Sequence, residues 1–401
     1  MFVLAPLKRP PIAWLWTGQV VSGIGDELRS VALVWIAVDL IGKGSAYLTA
    51  LQSLTVMVFS LFVGVYADRW DQRRTMIAVD LLRAAIVFAL AYAAVVDALS
   101  VELILGAMVS TAALMALYRP TVLASLSRLA EGAEMMHAVN GLMDGTRRLA
   151  RILGPAIVGF LILIVPIPHF FTLNGLALVL SALIVVALGR HLKARPPPLG
   201  PARLPDSMLD ELKAGFSGAF RHPIMRFAFV NMFIGSGAWG AIFMLCLPLY
   251  FQEHAKGDIG AFGLVVSAYG IGNLAANMLV GSLKMTYPGR VLLIGRLMMG
   301  SGFLAMALAP DLPLMMVAAA FSAAGGPMND LPYLAVVRRD FGTAMVGRLY
   351  GLRTAVDSAG ILAGMLLAVI ALDHFGPLGT IGLNGAVYLA SGLLGIRMFN
   401  R

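Results

Sequence analysis

Apolar residues follow one another along this chain in long blocks rather than alternating with polar residues. Blocks such as 75–96 and 227–250 exceed the roughly 20 residues with which a helix crosses a hydrocarbon layer of about 30 Å. The pattern lacks the shorter, alternating segments of a membrane β-barrel. Because a helix satisfies its own backbone hydrogen bonds in lipid, the pattern predicts an all-α membrane protein.

Twelve blocks are candidate membrane-spanning helices. Their approximate bounds are 13–41, 45–67, 75–96, 100–122, 138–165, 168–190, 223–252, 259–284, 290–309, 312–336, 345–371 and 376–397. A polar stretch separates the first six from the last six. It begins as a Pro-rich linker and continues as an amphipathic helix, which we expect to lie on the membrane surface. The predicted organisation is an N-terminal half (1–190), a linker (191–222) and a C-terminal half (223–401).

The composition and the distribution of charge agree with this prediction. Of the 401 residues, 59% are hydrophobic and 13% are charged, whereas soluble chains have about 45–50% and 25%. Lysine and arginine are concentrated in the loops on one side of the predicted spans, and the opposite loops hold Lys43 and Lys256. Positive charge marks the cytoplasmic side. We therefore expect a multi-pass inner-membrane protein with both termini in the cytoplasm. The net charge of +9 is explained by this topology, so we expect no nucleic-acid partner.

Two segments at equivalent places in the predicted halves resemble each other. Residues 141–154 lie near the start of span five, and residues 351–364 lie near the start of span eleven. Both begin with Gly-Leu, end on glycine and carry Arg and Asp between. Transporters built from two such repeats bind their substrate near the membrane midplane, between the halves. The repeat therefore favours a transporter with a central substrate site.

The loop after the second span reads GVYADRWDQRR over residues 64–74. It resembles the signature loop of the major facilitator superfamily, in which a glycine, an Asp-Arg pair and a basic cluster recur at these offsets. The resemblance implies twelve helices in two pseudo-symmetric six-helix halves, and a latch that breaks and reforms as the halves rock. The expected latch residues are Gly64, Asp68, Arg69, Arg73 and Arg74. Asp71 replaces the second glycine of the family, a change associated with its drug- and siderophore-exporting branch.

Span five contains the segment RILGPAIVG over residues 151–159. Proline removes a backbone hydrogen bond and allows a bend, and the flanking glycines allow close helix contact. The segment resembles the antiporter motif of exporters in the superfamily, so Gly154, Pro155 and Gly159 are the expected helix-bend motif. A kink without directional meaning is the alternative. Span one, residues 16–29, is similar to the first helix of the bacterial branch with enterobactin exporters and macrolide efflux proteins.

Charged residues inside the predicted spans are the candidate functional groups, because a charge in the bilayer costs several kcal/mol and usually faces a cavity. The candidates for proton coupling or for the substrate cavity are Asp26, Glu27, Arg29, Arg119, Asp144, Arg147, Arg148, Arg151, Arg353 and Asp357. Asp26 or Glu27 is the first choice for the proton-carrying carboxylate and Asp357 the second, since burial favours protonation. The arginines would hold an anionic or oxygen-rich cargo, or offset a carboxylate. The remaining charges are expected to form internal salt bridges: Asp80, Arg83, Arg296 and Asp330.

Enzyme chemistry has little support in the sequence. No two histidines have metal-ligand spacing on one helix, and no Walker loop occurs. The single cysteine, Cys246, lies in an apolar run and is expected to be a buried hydrophobic residue. We therefore expect no enzymatic activity, no cofactor and no bound metal.

Taken together, these features predict a proton-coupled exporter of a small amphipathic or anionic molecule, drug-like or siderophore-like, that works by alternating access. Its expected partners are this small-molecule substrate, protons and the lipid bilayer, and we expect a monomer. An importer or a metal-ion transporter on the same fold is one alternative. A non-transporting membrane scaffold or receptor is another, and it requires fully paired intramembrane charges and no cavity.

Overall fold

We describe the protein from a computed structural model of the chain. The described residues are 6–66, 71–129, 164–189, 220–254, 258–282, 287–341 and 343–399, with isolated positions between 135 and 161.

These residues form helices and turns, and no strand occurs among them. The first helices are α1 (Pro10–Ile41), α2 (Ser45–Tyr66), α3 (Gln72–Val95), α4 (Val101–Leu129) and α5 (Pro168–Ala187). The next is α6 (Pro223–Ala241), which continues through a π-helical turn (Ile242–Cys246) into α7 (Leu247–His254). The last are α8 (Ile259–Ser282), α9 (Pro288–Ala307), α10 (Leu312–Asp340) and α11 (Thr343–Phe399). Gly376 interrupts α11 with a φ of 63°, a conformation that glycine adopts without steric cost.

Local sequence explains where several of these helices begin. Proline, whose missing N–H costs nothing in a first turn, occupies an N-terminal position of α5, α6, α9 and α10. The Asp71 carboxylate accepts a hydrogen bond of 3.0 Å from the Arg74 backbone N–H and thereby caps α3. The residue that departs from the superfamily pattern at this position therefore starts the third helix.

Eight helical stretches among the described residues are long and apolar enough to cross a membrane. Large apolar side chains on their outer faces are exposed, for example Leu183, Leu367 and Leu394. Polar and charged residues are instead buried among the helices, as Asp80, Arg83 and Asn174 are. Apolar side chains outside and polar ones inside fit a lipid surrounding. The prediction of an all-helical, multi-pass membrane protein is confirmed.

The chain divides into two compact units. The first comprises Met1–Ala37 and Val58–Ala202, and in it α3 packs extensively against α5 and α4. The second comprises Val38–Met57 and Arg203–Arg401, and in it α11 packs against α6 and α9, while α10 packs against α8 and α9. The turn between α1 and α2 thus clusters with the second unit, where the Lys43 ammonium pairs with the Asp373 carboxylate of α11.

Small residues let the backbones of the second unit approach closely. A Cβ atom added at Gly237 of α6 would lie 2.6 Å from the Gly360 carbonyl oxygen of α11. A Cβ atom added at Gly364 would overlap the backbone of Gly237. Such contacts are the main means by which helices pack in lipid, where no hydrophobic effect drives association. They fix α6 against α11 and so determine which α6 side chains reach the charged residues described next.

Candidate functional site

The structure describes part of the predicted site. The predicted residues that it describes are Asp26, Glu27, Arg29, Gly64, Arg73, Arg74, Arg119, Arg353 and Asp357. The predicted residues outside the described part of the chain are Asp68, Arg69, Asp144, Arg147, Arg148, Arg151, Gly154, Pro155 and Gly159. Several of the described charges belong to two clusters, one in each compact unit.

The first cluster, here called the Arg83 cluster, consists of Asp26 and Arg29 of α1 and Asp80 and Arg83 of α3. The Arg83 Nη2 group donates a hydrogen bond to Asp26 Oδ1, and Arg83 Nη1 lies 3.7 Å from Asp80 Oδ1. Arg29 Nε lies 3.9 Å from Asp26 Oδ1. Each helix contributes its two members three residues apart, hence on one face. One guanidinium thus bridges two carboxylates that come from different helices.

Neutral polar groups complete the Arg83 cluster. Asp80 Oδ2 accepts hydrogen bonds from the Ser181 hydroxyl at 2.8 Å and from the Tyr118 hydroxyl at 3.0 Å. The Gln19 amide donates to the Tyr118 oxygen at 2.7 Å. Asn174 Nδ2 lies 3.3 Å from Asp26 Oδ1. Helices α1, α3, α4 and α5 are therefore joined through polar side chains that an apolar environment makes costly to separate.

Exposure distinguishes the two carboxylates of this cluster. The Asp80 side chain is 0% exposed and that of Arg83 is 1% exposed, whereas 22% of the Asp26 side chain is exposed. Among the described residues, Asp80 Oδ1 and Arg83 Nε have no hydrogen-bond partner. Asp26 is therefore the partly exposed carboxylate of the cluster, and Asp80 is the enclosed one.

Sequence reasoning selected Asp26 and Arg29 but assigned Asp80 and Arg83 to structural salt bridges and did not select the neutral partners. The i,i+3 spacing of Asp80 and Arg83 can be read from the sequence, but the contact of Arg83 with Asp26 of α1 cannot. Asn174 and Ser181 are seven residues apart, so they lie on one face of an otherwise apolar helix. This pair of polar residues is the sequence signal that could have indicated that α5 contributes to the Arg83 cluster.

The second cluster, here called the Arg353 cluster, consists of Asp330 of α10 and Arg353 and Asp357 of α11. Arg353 Nη2 donates a hydrogen bond of 2.7 Å to Asp330 Oδ1, and Arg353 Nε lies 3.8 Å from Asp357 Oδ2. The Ser236 hydroxyl of α6 donates to Asp357 Oδ1 at 2.6 Å. The guanidinium also lies over the Tyr333 ring, 5.3 Å from its centre.

The Arg353 cluster is more open and more acidic than the Arg83 cluster. The side chains of Asp330 and Asp357 are 40% and 37% exposed. In the described contacts, two carboxylates pair with the Arg353 guanidinium. The expected pair of Arg353 and Asp357 is present, and Asp330, which was assigned to a structural role, binds the same arginine. Sequence spacing could show the i,i+4 pair but not the third member, which comes from another helix.

Arg296 of α9 was expected to form an internal salt bridge, and this expectation is wrong within the described residues, where no carboxylate lies within 4.0 Å of it. Its Nη2 group instead donates to the Asn231 carbonyl oxygen of α6. Its guanidinium lies 4.9 Å from the centre of the Tyr388 ring. The side chain is buried, and Nε and Nη1 have no hydrogen-bond partner.

Comparison with known proteins places the chain in a family. Residues 2–398 match the family described as transmembrane secretion effector, of the major facilitator type. The chain belongs to this family. The resemblance to the superfamily and to its exporter branch, predicted from the loop 64–74 and from spans one and five, is confirmed.

Two relatives of the chain are efflux proteins. The chain is 25% identical over 400 residues to the multidrug efflux pump Tap of Mycobacterium tuberculosis, with 98% of this chain and 94% of that protein covered. It is 21% identical over 378 residues to macrolide efflux protein A of Streptococcus pyogenes, with coverages of 90% and 89%. The chain is therefore similar along its whole length to proteins that carry these names.

Solved structures agree in fold. A crystal structure of a POT family transporter with a thioalcohol-conjugated peptide has a TM-score of 0.74 at 14% identity, with 97% of this chain and 96% of that chain covered. The human organic anion transporter MFSD10 has a TM-score of 0.66 at 12% identity, with coverages of 96% and 100%. These structures show the fold alone, whereas the family match shows a membrane transporter of the major facilitator type.

The expected latch is described only in part. Gly64 lies in α2. Arg73 Nη2 donates a hydrogen bond of 3.0 Å to the Val186 carbonyl at the end of α5, in its own unit. Arg74 Nε lies 3.9 Å from Asp71 Oδ2. Both contacts lie within the first compact unit. Pairing of the latch arginines with carboxylates of the other half stays a prediction.

Two further expectations concern Arg119 and metal binding. Arg119 follows Tyr118 in α4, but it is exposed, whereas Tyr118 is buried in the Arg83 cluster. Cys246 is buried in the π-helical turn. Within the described parts of the chain, no three His, Cys, Asp or Glu side chains converge as metal ligands would.

Proposed function

We propose that the chain is a proton-coupled exporter of small amphipathic or anionic molecules, and that it works by alternating access of two six-helix halves. The observation that carries the proposal is the Arg83 cluster, in which one buried guanidinium joins a partly exposed carboxylate to an enclosed one. Membership of a family with efflux relatives supports the direction of transport.

The proposed coupling group is Asp26. In its ionised form, Asp26 holds Arg83 and thereby fixes α1 to α3. A proton on Asp26 removes the negative charge that attracts Arg83, and the guanidinium then keeps Asp80 as its counter-charge. Because Arg83 is buried, where charges interact more strongly than in bulk water, loss of this attraction weakens the attachment of α1 to α3. Asp357 of the Arg353 cluster is the second candidate, and Glu27, which interacts electrostatically with Arg29, is the alternative on α1.

In the proposed arrangement, the halves 1–190 and 223–401 each supply six of twelve spans, and the linker 191–222 joins them on the cytoplasmic side with both termini. The latch residues of the loop 64–74 lie on that side. Lys43 and Asp373 then lie on the opposite side. The bacterial inner membrane fits the distribution of lysine and arginine. We also propose that the charged residues of span five line the cavity, namely Asp144, Arg147, Arg148 and Arg151. Gly154, Pro155 and Gly159 would bend that span.

The alternatives have less support. The fold similarity to POT family transporters leaves the direction of transport open, whereas the whole-length relatives are named efflux proteins. A non-transporting scaffold would bury and pair its intramembrane charges. The exposure of Asp330 and Asp357 argues against that reading.

Transport by the purified protein in liposomes tests the proposal. An outwardly or inwardly imposed pH gradient should drive accumulation of erythromycin, ethidium or an anionic probe such as 8-anilinonaphthalene-1-sulfonate. We expect Asp26→Asn to abolish this gradient-driven transport while the purified variant stays folded, with a lower unfolding temperature than the parent protein because the ion pair with Arg83 is lost. The matched control is Asp39→Asn, which removes an exposed carboxylate from the same helix.

Two results would refute parts of the proposal. Absence of gradient-driven movement for every probe, together with binding that does not depend on pH, would remove proton coupling. Full transport by Asp26→Asn would remove Asp26 from the coupling role and make Asp357→Asn the next variant.

A further inference from the structure

An open apolar groove, here called the α1–α5 groove, lies between the start of α1 and the end of α5, within the first compact unit. Its volume is about 400 Å³. The indole of Trp14, which forms part of its wall, is 58% exposed. The residues that line the groove are Pro10, Pro11, Trp14, Ile184, Ala187 and Leu188.

The packing of α1 against α5 places this groove near the edge of the membrane. The two helices meet at Gly18, where a Cβ atom would lie 3.5 Å from Ile184 Cδ1. Ile12 and Leu15 point into the core, whereas Trp14 between them is exposed. Helix α1 begins, and α5 ends, at this level, and tryptophan is enriched where the hydrocarbon layer meets water. An occupant of the groove therefore has its polar end at the depth of the lipid headgroups.

Positive charge borders the groove at the start of α1. Lys8, which is exposed, and Arg9 directly precede the lining residue Pro10. Arg9 Nη1 donates a hydrogen bond of 3.4 Å to the Leu129 carbonyl oxygen at the end of α4. This contact fixes the arginine beside the first turn of α1.

A third cation borders the groove at the end of α5. The Arg73 Nη2 group donates to the Val186 carbonyl oxygen at 3.0 Å, and a Cβ atom added at Gly189 would lie 2.6 Å from the same group. Val186 and Gly189 flank the lining residues at 187 and 188, so the guanidinium lies beside the wall of the groove. Arg73 Nε has no hydrogen-bond partner among the described residues. The neighbouring carboxylate of Asp71 caps α3 instead.

An apolar groove with cations at both ends matches one kind of occupant in particular. A phospholipid with a net negative headgroup supplies an apolar chain for the groove and an anion for the cations, and basic pockets between membrane helices bind such headgroups. The linker that follows α5 is the other nearby candidate. Its first charged residues are Lys193 and Arg195, which repel the cations already at the groove. The distribution of charge therefore favours the lipid.

We propose that the α1–α5 groove is a binding site for an anionic phospholipid. One acyl chain lies in the groove against Trp14, and the headgroup phosphate lies between Lys8 and Arg9 on one side and Arg73 on the other. The site joins α1 to α5, the helices that carry Asp26 and Asn174 of the Arg83 cluster. Binding of the lipid does not depend on the direction or the coupling of transport.

Native mass spectrometry of the purified full-length protein tests this inference. Protein freed of lipid in detergent is titrated with phosphatidylglycerol or with phosphatidylcholine of the same acyl chains, and the dissociation constant of the first bound lipid is measured. Of the two lipids, only phosphatidylglycerol has a net negative charge. We expect it to bind at least about tenfold more tightly, because each basic residue near an anionic headgroup strengthens binding severalfold.

Two variants separate the groove from the charge, each with a matched control. Ala187→Trp fills the groove and should lower the affinity for phosphatidylglycerol to that for phosphatidylcholine. Its control is Leu183→Trp, one turn earlier on the same helix at an exposed position outside the lining, and it should behave as the parent. Lys8→Gln should weaken phosphatidylglycerol binding by about fivefold and leave phosphatidylcholine unaffected. Its control is Arg290→Gln, which removes an exposed arginine of the second unit and should change neither affinity.

Several results would overturn the proposal. Equal affinities of the parent for the two lipids would do so, and this is the result expected if the linker covers the groove. Parent-like selectivity in folded Ala187→Trp, or an equal loss in Leu183→Trp, would show that the lipid binds elsewhere. If Ala187→Trp does not fold, the comparison of Lys8→Gln with Arg290→Gln decides. Equal affinities of these two variants for phosphatidylglycerol would show general attraction to a basic surface and remove the site.

Discussion

Arg83 and Arg296 are both buried arginines in apolar helices, yet their surroundings differ in kind. Arg83 lies directly against the carboxylates of Asp26 and Asp80. Arg296 lies against a backbone carbonyl and a tyrosine ring, and the carboxylate with which it interacts is farther off. In the proposed mechanism, the first arginine holds or releases α1 as a proton leaves or binds Asp26. The second is held by a backbone carbonyl group and a ring, neither of which a proton near neutral pH would change.

The difference teaches that burial of a charge does not by itself define its role. A guanidinium between two carboxylates has two alternative partners, so a proton on Asp26 would leave Arg83 with Asp80 of its own helix and weaken its hold on α1. A guanidinium bonded to carbonyl groups has no such alternative, because those acceptors do not titrate. We therefore expect substitutions at the two arginines to differ in both size and kind.

The largest effect is expected at Arg83. Arg83→Met leaves Asp26 and Asp80 without their shared cation and should lower the free energy of unfolding by about 3–5 kcal/mol. Thermal unfolding of the purified protein measures this loss. Arg74→Gln, which removes an exposed arginine from the same helix, is the control and should change stability little. The triple variant Arg83→Met, Asp26→Asn, Asp80→Asn should recover part of the loss, and a triple variant as unstable as Arg83→Met would contradict the charge argument.

The next effect is expected where α6 meets α11. Gly364→Val places side-chain atoms into the backbone of Gly237 and should destabilise the second unit by about 1–3 kcal/mol. Gly281→Val is a comparison of the same chemistry at a helical glycine with open space around its Cβ position. Equal losses in the two variants would show that close backbone contact does not hold α6. This result also bears on the comparison of Arg83 with Arg296, since α6 supplies the carbonyl group that Arg296 binds.

A smaller effect is expected at Tyr388. Tyr388→Phe removes the hydrogen bond to the Gly235 carbonyl and keeps the ring beneath Arg296. Loss of one hydrogen bond of this kind lowers stability by about 0.5–1.5 kcal/mol. Chemical or thermal unfolding measures it. A loss as large as that of Arg83→Met would mean that the hydrogen bond of Tyr388 to α6 stabilises the second unit as strongly as the buried ion pairs stabilise the first.

The smallest effect on stability is expected for the pair of Lys43 and Asp373, which are both about half exposed. A double-mutant cycle with alanine at the two positions should give a coupling energy below about 1 kcal/mol, because exposed ion pairs are screened by water and salt. A coupling energy comparable to that of the buried pairs would show that this site is closed to water.

Much of the fold was available from the sequence. The length of the apolar blocks and the low charged fraction predict membrane helices, and observed helices such as Gln72–Val95 and Ile259–Ser282 agree with the predicted spans 75–96 and 259–284 within a few residues. These properties are local, since a helix in lipid satisfies its own backbone and depends little on its neighbours. The superfamily signature could also be recognised from the sequence, because it lies within one short segment, residues 64–74.

The sequence also identified which residue types carry the candidate site, since a charge inside an apolar block is conspicuous wherever it occurs. It gave the pairs along one helix, such as Arg353 with Asp357, because spacing along a helix is fixed. Only the tertiary structure brought Arg83 to Asp26, added Tyr118 and Ser181 to Asp80, and left Arg296 against a carbonyl group. Those partners come from separate helices, and the small residues at which helices meet decide the rotation that each helix adopts. The sequence therefore determines which charged residues lie inside the spans, but the packing of the helices determines which groups they contact.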